Sequence, residues 1–185
     1  MKKNRIRVWK NSETEVFLPA ADEDAVYVFT HILQHFFMGG IGLRQICDWC
    51  RLLWTYRESL NYRLLESRIQ KMGLMSEWKA FGALAIDYLG FPRDSMPLLN
   101  VDVDLNANFK KKAERILELV LESGNFGHNK DKSYYSKYPY LLVKAISLFR
   151  NTTESMKHFM IFPMDATRVC FLRLGKGLRV AAKGK

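Results

Sequence analysis

Four polar side chains in one short stretch, His31, His35, Arg44 and Asp48, have types and a spacing that could do chemistry. His31 and His35 are four residues apart, so on a helix they share a face, and Arg44 and Asp48 do the same. Gly39, Gly40 and Gly42 lie between the two pairs and can turn the chain back on itself. In the resulting antiparallel register His35 comes level with Arg44, and His31 with Asp48. An imidazole beside a carboxylate is held in one tautomer and made more basic, which suits a general base or a metal ligand. An arginine at the start of a helix suits an anionic oxygen. The competing reading is a hydrogen-bonded polar seam that only locks two helices together. Two histidines and a carboxylate recur by coincidence on helices, so this chain is expected to hold no metal.

The elements that would position this groove are helical. From Asp22 the apolar residues follow a helical period through Val26, Phe29, Ile32, Leu33 and Phe36, with Asp22 or Asp24 able to cap. Further helices are expected over about Leu43 to Arg57, Asn61 to Met72, Ser76 to Leu89 and Ala107 to Glu122. Three more follow, from Pro139 to about Phe149, Thr152 to Phe159 and Ala166 to Ala182. Arg93 to Asn106 and Ser123 to Ser136 read as long loops. Ahead of the helices, Ile6 to Trp9 and Glu15 to Leu18 are short β-type runs around a turn at Asn11, Ser12 and Glu13. A hairpin this small is barely stable alone, so it should pack on the helices or be the edge of a sheet that is missing. The expected fold is mainly α: a bundle of about seven helices with a short N-terminal β-hairpin or strand remnant. Residues 1–20 form the β segment and 21–185 one helical domain.

Composition narrows the partners. The chain has 185 residues, 48% of them apolar, enough for one well-filled core. A net charge of +10 favours anionic partners: a nucleotide or another anionic small molecule, with nucleic acid as a further candidate. The basic residues are spread along the chain and do not form one stripe. No long apolar span or signal peptide is evident, so no membrane partner is expected, and an odd number of cysteines suits a reducing cytoplasm. Cys47 and Cys50 spell C-x-x-C inside a helical stretch, without a second pair at zinc-finger spacing, and read with Cys170 as buried core cysteines. Trp49, Trp54 and Trp78 read as core anchors and the scattered methionines as gap fillers. His128 and Asn129 read as a solvated turn, and Lys176, Arg179, Lys183 and Lys185 as a frayed basic tail.

The string His-Ile-Leu-Gln-His-Phe-Phe-Met-Gly-Gly-Ile-Gly-Leu-Arg-Gln-Ile-Cys-Asp-Trp, His31 to Trp49, resembles the signature of the uncharacterised bacterial nucleotidyltransferase family. Gly124, Asn125, Phe126 and Gly127 look like that family's second recurrent segment, a candidate loop site. The resemblance implies an enzyme of the polymerase-β type, whose catalytic half carries a glycine turn and acidic residues on strands. Those acids would hold two divalent metals, magnesium in a full-length member, for nucleotidyl transfer. Nothing before Asp22 offers such a turn and paired carboxylates. Asp102-Val103-Asp104 spells D-x-D but follows Pro97 without a glycine turn, and reads as a capping or turn element preceding the fifth helix.

The chain therefore resembles the carboxy-terminal helical part of such a protein, as a piece of a longer one or as a short gene product. Alone it is expected to be inactive, with an N-terminal catalytic domain as its missing partner. Its role would be to support nucleotide or acceptor binding. The alternative is a non-catalytic helical module that binds a ligand, a nucleic acid or a protein. A third reading, a metal-dependent hydrolase on His31, His35 and Asp48, needs a further ligand that the spacing does not show.

Overall fold

The computed structural model describes residues 7–11, 14–38, 40–100, 106–124, 139, 142–143, 146–147, 153, 156–163 and 167. The expected helices beyond Pro139 fall mostly outside these residues. Among the described residues the regular elements are two strands, five α-helices and one 3-10 turn. Six helical elements are bounded among the described residues where about seven helices were expected; one of them, Arg93–Ser95, lies in a segment read as loop, and residues 142–143, 146–147 and 156–159 are helical as well.

Strands β1 (Arg7–Asn11) and β2 (Thr14–Leu18) pair antiparallel, with Val8 opposite Phe17 and Lys10 opposite Glu15. Lys10 and Glu15 form an ion pair across the ladder. Val8, Val16 and Phe17 are exposed, Phe17 at 68%, so at these side chains the hairpin does not pack on the helices. Helix α1 (Ala21–Met38) opens with three acidic residues, Asp22, Glu23 and Asp24, which suit the positive end of its dipole. Asp22 is fully buried, and its carboxylate accepts from the Arg68 guanidinium at 2.7 Å. Asp22, read as a local cap, thus lies inside the first turn of α1 and fastens that helix to α3 (Tyr62–Lys71).

Caps explain where the other helices begin and end. The Gly42 N–H donates to the Gln45 side chain at 3.1 Å, opening α2 (Leu43–Thr55). Asn61 Oδ1 accepts from the Leu64 amide, and Asn106 Oδ1 from the amides of Asn108 and Phe109. These set the starts of α3 and of α5 (Ala107–Ser123). Helix α4 (Met75–Leu89) stops at Gly90, whose φ of 72° is left-handed and favours glycine.

Helix α4 is the centre of the molecule. Trp78 and Ala80 to Ala85 are all buried, so it is wrapped on most sides. The Trp78 indole N–H donates to the Pro97 carbonyl at 2.8 Å, drawing residues 96–99 across it. Gly82 permits that approach: a Cβ there would lie 3.2 Å from Leu99 Cδ1 and 3.3 Å from Met96 Cγ. Phe29 of α1 packs on Trp49 of α2 and on Trp78 and Phe81 of α4, with ring centroids 4.8–5.8 Å apart. This aromatic knot holds the first hairpin on the bundle.

Candidate functional site

The α1–turn–α2 hairpin is built almost entirely by the apolar half of the His31–Trp49 string. Ile32, Leu33, Phe36, Phe37, Ile41, Ile46 and Trp49 are all buried. Phe29 packs on Trp49, which is within one residue of the antiparallel register expected for the polar pairs. A contact between the two helices near that level is thus made by the core aromatics.

The polar residues are turned the other way. His31 lies two residues beyond Phe29, about 200° round the helix, and faces solvent. Arg44 and Asp48 are exposed at 89% and 67% of their side-chain surface. His35 is half-buried. The rings of His31 and His35 meet edge to face at 4.4 Å between centroids, and Tyr27 stacks on His31 at 6.2 Å. Arg44 Nε and Asp48 sit 4.0 Å apart along α2. Among the described residues no ion pair or hydrogen bond joins His31 to Asp48, or Arg44 to α1. The facing pairs expected from the register are thus corrected to two pairs within helices, because the apolar stripes claim the inter-helix seam. This also removes the polar-seam reading for His31, Arg44 and Asp48. An ion pair this long and this exposed adds little stability.

The first turn of α2 contains no acidic residue, in contrast to α1, and Arg44 stands in it. An arginine beside a helix N-terminus combines a positive guanidinium with the positive end of the helix dipole. That combination favours an anionic oxygen. No group of three or more histidine, cysteine, aspartate or glutamate side chains among the described residues could hold a metal ion.

The C-x-x-C residues divide. Cys50 is buried as expected, whereas Cys47 is exposed, a correction that follows from its place on the outer face of α2 beside Asp48. Burial pushes the Cys50 thiol up from an ordinary 9.0 to about 12, with the neighbouring Cys47 adding to the rise and a backbone hydrogen bond opposing it. Cys50 is thus a neutral thiol near pH 8, whereas the fold loses stability as pH climbs from about 9 towards 12 and unfolded Cys50 ionises. Brief alkylation of the folded chain at pH 8 is expected to label Cys47 and to spare Cys50 until denaturant is added. Mass spectrometry of the digested chain reads this out, and equal labelling of both would contradict it.

Trp49 and Trp78 are fully buried, but Trp54 is 42% exposed. Trp54 stands in the last turn of α2, one residue round from the buried Leu53, and the Arg57 guanidinium covers its ring at 4.2 Å. The core-anchor expectation is therefore corrected for Trp54. Exposed Met38, Met72, Met156 and Met160 likewise fill no gap, whereas Met96 is buried. Of the candidate loop site, Gly124 ends α5, its N–H donating to the Val120 carbonyl at 3.1 Å. Asn125, Phe126 and Gly127 lie outside the described residues, as do Asp102, Asp104, His128, Asn129, Cys170 and the basic tail from Lys176.

No helix among the described residues is long and apolar enough to cross a membrane. No protein-family model, curated protein or solved structure matches this chain.

Proposed function

We propose that this chain is the helical part of a nucleotidyltransferase, and that the outer face of its first hairpin binds nucleotide or acceptor. The metal-binding acids would come from residues outside it. The observation that carries this reading is the division of labour within the His31–Trp49 string. Its apolar residues account for the packing of α1 and α2, whereas His31, Arg44 and Asp48 stand in solvent and bond nothing across the hairpin. Polar side chains that the fold does not use are available to a ligand. Arg44 offers a fork of N–H donors for phosphate oxygens, in the first turn of a helix free of acidic side chains. The net charge of +10 draws an anion towards the molecule from a distance. Exposed Val8 and Phe17, opposite each other in the ladder, give one face of the β-hairpin an apolar surface suited to a neighbouring sheet.

Calorimetric titration of the chain with a nucleoside triphosphate, and separately with an oligonucleotide, tests the reading. Nucleotide binding is expected that weakens as salt is raised and falls about tenfold or more in Arg44→Ala, since a charge-assisted bond contributes about 1.5–3 kcal/mol. Helix content should stay unchanged by circular dichroism, because Arg44 supports no packing. Equal binding by Arg44→Ala and the parent chain would sink the proposal. Tighter binding of the oligonucleotide than of the nucleotide would favour the nucleic-acid module instead.

A further inference from the structure

The N-terminal hairpin leaves a row of backbone groups open along β2. Asn11 and Thr14 close the ladder with two residues between them, which makes theirs a hydrogen-bonded pair. Ladder bonds alternate along the strands. The backbone groups of Thr14, Val16 and Leu18 therefore point at β1, and those of Glu15 and Phe17 point away from it. Among the described residues no hydrogen bond reaches these outward groups. Strand edges are commonly guarded by lysine, proline or a bulge. β1 has such a guard, since Lys10 lies in it and Lys2, Lys3 and Arg5 precede it. β2 has none. Its residues Thr-Glu-Val-Phe-Leu run without a bulge, and their one charge, Glu15, is already paired with Lys10. Val16 and Phe17 are 40% and 68% exposed.

This edge is complementary to itself. Two antiparallel copies of β2 must match outward groups with outward groups, which allows three well-overlapped registers. Centring on Glu15 sets two carboxylates opposite each other, which is unfavourable. Centring on Phe17 matches Glu15 with Pro19, which has no N–H to give. Centring on Val16 matches each Glu15 with the partner's Phe17 and completes both pairs of backbone bonds. Val16 then meets the partner's Val16 in a close non-hydrogen-bonded pair, and the two Phe17 rings lie diagonally on one face. We propose that β2 pairs with β2 of a second copy in this register, joining two hairpins into a four-stranded antiparallel sheet. The basic β1 strands form its outer edges, so assembly closes at two copies. So short a seam is small for a permanent interface, and the dimer forms and parts with concentration.

Sedimentation equilibrium of the full chain tests this. The average mass is expected to rise from one chain towards two as concentration approaches about 1 mM. Val16→Lys sets two ammonium groups opposite each other, and Phe17→Pro removes an outward N–H while sparing the bonds to β1; each should keep the chain monomeric. Helix content and nucleotide binding should match the parent chain in both variants, so failure here and failure of the Arg44 reading are told apart. In a Cys47→Ser background, which supplies the baseline, Val16→Cys should oxidise to a linked dimer. Its Cα atoms would lie about 4.5 Å apart, within disulfide reach. Phe17→Cys, at the diagonal separation of about 7–8 Å, should not. A parent chain that stays monomeric to about 1 mM, dimers that persist in Val16→Lys, or cross-linking of Phe17→Cys as readily as of Val16→Cys would each overturn the proposal.

Discussion

Replacing Phe29 by alanine is expected to destabilise the chain by about 3–5 kcal/mol, the range for deleting a buried aromatic ring. Phe29 is fully buried, and its ring meets Trp49 at 5.2 Å, Trp78 at 4.8 Å and Phe81 at 5.8 Å. These three neighbours come from two helices and are themselves inaccessible to solvent, so they have little room to collapse into the space. Trp49 and Trp78 also brace each other at right angles, 5.0 Å apart. The cavity would open where the first hairpin joins α4. Reversible urea unfolding followed by tryptophan fluorescence checks the loss, and Phe29→Leu should recover a substantial part of it. A cost below about 1 kcal/mol would mean that the ring is not the junction described here.

The second large effect is expected at Arg68. Its guanidinium donates to buried Asp22 at 2.7 Å and to the more exposed Glu23 at 2.8 Å. Removing one partner of such a pair leaves a buried carboxylate less well compensated, and the penalty exceeds the modest worth of the intact pair. Arg68 is itself 33% exposed, which screens the interaction and lowers the cost to about 2–3 kcal/mol in Arg68→Ala. Combining it with Asp22→Ala should cost less than the sum of the two single changes, because the buried charge goes with its partner. The same urea titrations on all three variants measure this coupling. Strictly additive losses would show that Asp22 and Arg68 do not act together.

Both residues bear on what the sequence could reveal. Helix boundaries were legible to within a residue or two wherever a local cap was spelled out, as with Asn61, Asn106 and Gly90. The bond from Asp22 to Arg68 was not, since it joins positions 46 residues apart and nothing local announces it. The 3-10 turn at Arg93–Ser95 was also unmarked, lying between Pro92 and Pro97 in a stretch without periodicity.

The candidate site was half legible. The glycine turn and spacing bring α1 and α2 together, as the Phe29–Trp49 contact shows. Register says which residues are level, but not which way they face. Phe29, Ile32, Leu33 and Phe36 occupy the inward arc of α1, which leaves His31 on the outer one. Counting apolar neighbours three and four residues away finds this: Phe29 has Ala25, Val26, Ile32 and Leu33, whereas His31 has only Tyr27 and Val28. The same count separates Cys47 from Cys50, and Trp54 from Leu53. The separation of the two imidazole rings depends on their side-chain torsions and could come only from the structure.

The central claim is that the outer face of the first hairpin receives an anionic ligand at Arg44. Amide chemical shifts of the ¹⁵N-labelled chain, recorded as a nucleoside triphosphate is added, test it most directly. The account predicts shifts concentrated at residues 40–48, reduced by added salt and lost in Arg44→Ala. Shifts confined to other helices, or a pattern at residues 40–48 that survives in Arg44→Ala, would contradict it.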